Sequence, residues 1–280
     1  MTEDMTEHTT PTPARRTRTA LVLARGLGTR MRAAGDDSTM TAAQAAAAAC
    51  GYKALMPIGE HRLIDYAMSA LADAGIERVV LVVGPEHEDF AAHIDSLDLS
   101  RLRVDLAVQV EPRGTADAVL SAAEVVGNEP FLMVNGDNYY PVEGMRELAE
   151  RGGNALLGFD RAALVAGSNI PAERVAAFAL VEERDGVLTG IVEKPSPEVV
   201  EDAGEHALVS MNCFGFTPEI FDACRRIEPS ARGEYEIVDA VRALGGPVAV
   251  IRTEGAVLDL SRREDIADVE ARLAGTEVVL

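Results

Sequence analysis

The sequence predicts an α/β fold: a mostly parallel β-sheet with helices on both faces. Three observations carry that prediction. Short apolar runs of strand type alternate with segments of helical periodicity. The runs are apolar throughout, as strands covered on both faces must be. The first of them, Ala20–Leu23, breaks directly into a glycine loop, the usual form of a ligand-binding turn at a strand's carboxyl end.

Taken in order, Ala20–Leu23 reads as a strand, and Leu63–Ala74 as a helix with Leu63, Tyr66, Ala67, Ala70 and Leu71 on one face and Gly75 as its stop. Val79–Val83 is a strand, the segment around Glu88–Asp95 a helix, Val104–Gln109 a strand, Thr115–Val125 a helix and Phe131–Val134 a strand. Beyond Asp137 the alternation loosens. Ala155–Phe159, Ala177–Val181 and Val187–Glu193 read as strands, with Asp185-Gly186 as a hairpin turn, and Pro218–Arg225 and Ile237–Leu244 as helices. The low-complexity stretch Thr39–Ala49 favours helix, with Asp36, Asp37 or Ser38 available as a cap. It reads as a tolerated surface insertion in preference to a lid or an oligomer contact.

The chain has 280 residues, 48% of them hydrophobic, enough for one full core. The polar, arginine-bearing residues 1–18 read as a disordered tail, and residues 19–280 as one domain. The formal charge of −20 repels polyanions, so neither nucleic acid nor an anionic membrane is an expected partner. An anionic substrate must instead find a local basic focus. Cys50, Cys213 and Cys224 form no metal or disulfide pattern and suit reduced thiols. No apolar run has signal-peptide or transmembrane length, so a cytoplasmic protein is expected.

In Leu23-Ala24-Arg25-Gly26-Leu27-Gly28-Thr29-Arg30-Met31, Gly26 and Gly28 allow backbone N–H groups to close around phosphate, and Arg30 adds a fixed cation. This is not the dinucleotide fingerprint, whose third glycine would fall on Met31. It is not a Walker A loop either, since no Gly-Lys-Ser/Thr follows.

Together with Lys53-Ala54-Leu55-Met56-Pro57-Ile58, Gly114-Thr115-Ala116-Asp117-Ala118-Val119, Asn135-Gly136-Asp137-Asn138, Glu193-Lys194-Pro195 and Gly233-Glu234-Tyr235-Glu236-Ile237, this segment resembles the signature of the sugar-1-phosphate nucleotidylyltransferases. The likeness runs from about Thr19 to about Leu273. It implies a Rossmann-like nucleotide-diphospho-sugar transferase fold with a mixed, mostly parallel sheet, a nucleotide-binding half at about 19–137 and a sugar-phosphate-binding half at about 138–280. The reaction it implies is attack of a sugar 1-phosphate oxygen on the α-phosphorus of an NTP, with pyrophosphate released and Mg²⁺ as cofactor. Under this resemblance Arg30, Lys53 and Lys194 are catalytic, and Asp137 and Asp259 hold the metal. Leu23, Ala24, Gly26, Gly28, Thr29, Gln109, Gly114 and Thr115 bind the nucleotide. Asn138, Glu193, Lys194 and Asn212 meet the sugar phosphate, Lys194 being held extended by Pro195. The Gln109 amide offers both a donor and an acceptor to the base.

Three positions depart from the family pattern. Arg25 stands where a small residue is usual, Phe178-Ala179 stands where several relatives have Tyr-Gly, and Asp259 continues to Leu260-Ser261 where relatives continue to glycine. They motivate an altered acceptor, such as a modified sugar or a cyclitol phosphate, and a second reading as a non-catalytic regulatory homologue that binds nucleotide sugars. A GT-A-type glycosyltransferase would carry Asp-x-Asp, whereas Asp137 is followed by Asn138-Tyr139. Base, sugar and oligomeric state stay open, a homo-oligomer being compatible with the sequence.

Overall fold

A computed structural model describes residues 16–26, 28–32 and 40–280 of the chain. In chain order its strands are β1 (Thr19–Leu23), β2 (Pro57–Ile58), β3 (His61–Arg62), β4 (Arg78–Val83), β5 (Arg103–Val108), β6 (Phe131–Asn135), β7 (Asn138–Tyr139), β8 (Ala155–Asp160), β9 (Leu180–Arg184), β10 (Val187–Val192), β11 (Leu208–Phe216), β12 (Ala249–Thr253) and β13 (Leu258–Asp259). Nine of them form one sheet in the order β5-β4-β1-β6-β11-β8-β12-β10-β9.

Period-two alternation along the apolar strands builds a core on each face. Ala20, Val22, Val79, Leu81 and Val83 point to one side, where they join residues such as Met68 and Leu71 of the helix Leu63–Asp73. Leu21, Val80, Val82, Phe131 and Met133 point to the other, against Val119 of the helix Thr115–Ser121 and Phe221 of Glu219–Arg226. Every one of these strand residues is fully buried, which is why the runs read as uninterrupted apolar.

The parallel reading holds for β5-β4-β1-β6 and for the β8–β12 pair. Elsewhere the sheet is antiparallel, so it is mixed and not mostly parallel: β11 runs against β6, β8 and β9, and β10 against both β9 and β12. The expected Asp185-Gly186 turn closes the β9–β10 hairpin, both residues having positive φ (54° and 74°) as a primed turn requires. β9 starts later than expected. Ala177 and Phe178 continue the hydrogen bonding of the helix Ala172–Val175 and belong to its C-terminal turn.

Residues 1–15 lie outside the described residues, but the expected tail does not reach Arg18. The Thr17 N–H donates to the Ala149 carbonyl at 2.8 Å and the residue is buried, while Arg18 pairs with Glu77 at 2.7 Å. The alanine-rich segment forms the helix Ala42–Cys50, with Thr41 as N-cap in a capping box with Gln44. The cap is therefore neither Asp36, Asp37 nor Ser38, which fall outside the described residues. Cys213 and Cys224 are buried free thiols whose burial raises their pKa, that of Cys224 to about 12.

Candidate active site

The carboxyl ends of β1, β4, β5 and β6 lie side by side on one edge of the sheet. Leu23 pairs with Val82 on one side and Asn135 on the other. Past the ladder, the Ala24 N–H donates to the Val82 carbonyl, the Gly136 N–H to Leu23 (both 2.8 Å), and the Gln109 N–H to Val83 at 2.9 Å. The glycine loop, the Asn135–Asp137 turn and Gln109 thus converge, as the strand-end rule for open α/β sheets anticipates.

Two cavities open at this edge. One, of about 320 Å³, is walled by Leu23, Ala24, Gly26, Gln109, Gly114 and Thr115 of the expected nucleotide set, together with Lys53 and Asp137. The other, of about 650 Å³, is walled by Arg30, Asp137, Asn138, Lys194, Asn212 and Asp259. Asn135, Asp137 and Asn212 belong to both, so the cavities adjoin there.

Three expected site residues are placed otherwise. Gly28 has φ +57°, and a Cβ there would lie 2.3 Å from the Gly51 carbonyl oxygen, so its glycine serves packing. Thr29 begins the short helix Thr29–Arg32 and lines neither cavity. Glu193 also lines neither, and sits in the field of Glu236, Arg232 and Arg242. Gly26 lines the first cavity, with no heavy atom within 4 Å of the place a Cβ would take.

The far wall of the nucleotide cavity is made by docking two of the sequence motifs. The Tyr235 N–H donates to the Arg113 carbonyl, the Ala116 N–H to the Tyr235 carbonyl, and the Ile237 N–H to Thr115 Oγ1 at 2.9 Å. Gly114 (φ +122°) lies so close that a Cβ would come within 2.4 Å of the Tyr235 oxygen. Gly114→Ala is therefore expected to cost on the order of 2–4 kcal/mol, read as a lower denaturant midpoint at unchanged slope.

Gln109 is 4% exposed, and its Nε2 donates to the Gly114 carbonyl at 3.2 Å and to Asp117 Oδ2 at 2.8 Å. Both partners only accept, so the amide cannot flip, and its donor side is used inside the protein. What remains for a ligand is the acceptor Oε1, which corrects the expectation of a donor–acceptor pair. Asp117 is itself held by Arg113 at 2.7 Å. Asp117→Asn removes the bias on the amide. The ratios of kcat/KM among the five NTPs are expected to narrow by about 1–3 kcal/mol, the scale of a base-edge contact. Unchanged ratios would remove Gln109 from base reading. Arg25 lies on the same wall and donates from Nη2 to the Val110 carbonyl at 2.9 Å.

Where the two cavities adjoin, Lys53 Nζ, on the wall of the first, contacts Asp137 Oδ2 at 2.8 Å. Antiparallel pairing of β7 with β13 sets Asn138 opposite Asp259, and Asn138 Nδ2 donates to Asp259 Oδ1 at 3.0 Å. Asn138 is buried, bonded to Asp259, and also part of the wall of the second cavity. Arg174 pairs with both Asp259 and Asp265. The buried Tyr140 hydroxyl donates to the Met211 carbonyl at 2.7 Å and accepts the Asn135 N–H, tying β6 to β11 under the junction of the cavities. Lys194 and Asn212 take positive φ (46° and 57°). Lys194 is therefore not extended: Pro195 disfavours the right-handed helical region, and the chain turns through the left-handed one. Two non-glycine residues held this way, both on the acceptor wall, are the kind of local strain that functional sites retain.

Asp137 and Asp259 supply hard oxygen donors to one cavity, and Asp137 is exposed enough to take a ligand (30%). Among the described residues no cluster of three or more His, Cys, Asp or Glu completes a protein cage. Such a donor set fits Mg²⁺, which keeps waters and completes its shell from phosphate oxygens. Tyr140 and Arg174 have no isolated signal in the sequence, because their roles arise from contacts with residues distant along the chain, whereas the contacts of Asp117 with Gln109 and Arg113 are local.

The sequence model of the nucleotidyl transferase family matches residues 19–249. The UTP–glucose-1-phosphate uridylyltransferase AglF of Haloferax volcanii is 30% identical over 258 residues, 91% of this chain and 96% of the relative. A glucose-1-phosphate thymidylyltransferase of Streptomyces griseus is 33% identical over 229 residues, 80% of this chain and 56% of the relative. A UDP-glucose pyrophosphorylase solved with UDP-glucose superposes with a TM-score of 0.71 at 20% identity, covering 93% of this chain and all of that one. UTP-bound UGPase of Acinetobacter baumannii gives 0.68 at 18% identity, covering 94% and 95%. With its parallel β5-β4-β1-β6 half, its paired cavities and this extent of match, the chain belongs to the nucleotidyl transferase family.

Proposed function

We propose that the protein transfers a nucleotidyl group from an NTP to a sugar 1-phosphate. An acceptor phosphate oxygen forms a bond to the α-phosphorus, the bond from that phosphorus to the bridging oxygen of the β-phosphate breaks, and pyrophosphate leaves with the electron pair. The observation that carries this reading is the shared wall. Asp137 and Asn212 face both cavities, so a base and ribose in one and a sugar phosphate in the other bring their phosphates together at that point.

The residues act mainly by position and charge. Gln109 and the Gly114 loop hold the base end. Lys53, already beside Asp137, and Arg30 neutralise the departing pyrophosphate. Lys194 orients the acceptor phosphate, and its left-handed backbone brings the ammonium to the wall of the acceptor cavity. Asp137 and Asp259 would hold Mg²⁺, which would neutralise phosphate charge when bound. Asn138 and Arg174 orient Asp259, and Tyr140 holds the strand ends on which Asn135 and Asn212 sit. A glycosyltransferase reading lacks its second carboxylate, since Asn138 spends its amide on Asp259 and Tyr139 pairs with Leu258.

The test is pyrophosphate release from five NTPs against a panel of sugar and cyclitol 1-phosphates, with and without EDTA. Release that needs both substrates and a divalent ion is the expected result. Binding of nucleotide sugar with no release from any pair would establish the regulatory reading instead.

A further inference from the structure

The acceptor cavity, lined by the carboxylates Asp137, Glu173 and Asp259 and by four basic side chains, holds a cation that the proposed reaction does not use. Arg30, Lys194 and Arg262 all line it, and none of the three side chains has a hydrogen-bond or ion-pair partner among the described residues. This stands out in a chain of net charge −20, where most described arginines are paired or bonded to a carbonyl. Lys194 is assigned to the acceptor phosphate and Arg30 to pyrophosphate, so Arg262 is left over.

Arg262 is also built in. The N–H groups of Ser261 and Arg262 both donate to Asp265 Oδ2, at 2.9 and 2.8 Å, and Asp265 is anchored in turn by Arg174 at 3.2 Å. The backbone is thereby fixed while the guanidinium stays free. Arg262 lines the cavity of Lys194, Phe178 and Asn212, where the acceptor is proposed to sit, and has no part in the wall of the nucleotide cavity. That cavity also has twice the volume of the nucleotide cavity, about 650 against 320 Å³. Beside it, Phe178 and Ala177 present an apolar wall that offers sugar hydroxyls no side-chain donor or acceptor.

From these observations we infer that the natural acceptor is an acidic sugar 1-phosphate, bearing a second anionic group on the sugar that Arg262 recognises. A planar guanidinium suits either a carboxylate or a phosphate at that place, as a bidentate partner. The inference rests on the nucleotidyl transfer reading above.

The experiment compares kcat/KM for glucose 1-phosphate, glucuronic acid 1-phosphate and glucose 1,6-bisphosphate, with the preferred NTP saturating. At least one acidic acceptor is expected to exceed the neutral one by about 10-fold or more, the two acidic arms separating carboxylate from phosphate. In Arg262→Gln the acidic-to-neutral ratio is expected to fall toward one, and in Arg262→Glu to invert. Because the ratio is read within a single protein, any general loss of activity or fold cancels. Equal kcat/KM for neutral and acidic acceptors in the unsubstituted protein overturns the inference while leaving nucleotidyl transfer intact. So does a ratio that Arg262→Gln leaves unchanged, or a rise in KM for the NTP alone, which would give Arg262 to the triphosphate. No pyrophosphate from any pair overturns both readings.

Discussion

Asp137→Asn is expected to lower kcat by about 10³-fold or more, with the far-ultraviolet circular dichroism spectrum unchanged. The substitution keeps the shape of the side chain and removes the charge. Asp137 sits in the turn between β6 and β7, at the point shared by the two cavities, and its side chain contacts Lys53 at 2.8 Å. Its backbone carbonyl accepts the Leu260 N–H at 2.9 Å, an interaction the variant retains, so the turn survives. Losing a partly exposed ion pair costs stability only about 1 kcal/mol or less. The large catalytic loss is expected from the proposed role of the carboxylate in holding a divalent cation on the reacting phosphate. Full activity in this variant, or in EDTA, would remove the metal from the account.

Lys194→Ala carries the second large effect, a fall in kcat/KM of about 10²–10³-fold, with KM rising for the sugar phosphate more than for the NTP. The ammonium has no protein partner among the described residues and lines only the acceptor cavity, so its charge is available to that substrate. Lys53 lies on the wall of the nucleotide cavity, and Lys53→Ala should show the opposite bias, toward the NTP. Equal effects on both substrates in either variant would reassign that lysine to a general structural role.

The nucleotide half of this site is legible in the sequence because its parts are local. A buried strand that runs into Gly26 requires only that β1 be parallel and interior to the sheet, and it is, whereas Gly28, Thr29 and Arg30 of the same segment stand outside the wall of the nucleotide cavity. The acceptor half is harder to read because it is assembled across the chain. β11, the strand that carries Asn212 and reverses the sheet's direction, interrupts its apolar residues with Ser210, Asn212 and Gly215, so no clean periodicity marks it. Its pairing with β8 is irregular between Ser210 and Phe214, where Asn212 turns through positive φ. The role of Asn138 was likewise hidden. Its burial and its bond to Asp259 follow from the β7–β13 pairing of segments 121 residues apart. The family resemblance names Gln109, but which side of its amide is left for a ligand depends on Asp117, eight residues on, in the first turn of a helix whose direction only the fold defines.

The central claim is that two substrates meet at Asp137 and exchange a nucleotidyl group in one displacement, with no nucleophile from the protein. The most direct test uses an NTP with a chiral α-phosphorothioate and follows the configuration at phosphorus in the NDP-sugar product. A single in-line attack by the acceptor phosphate predicts inversion. Retention would require two displacements through a covalent nucleotidyl-enzyme, and would contradict the account.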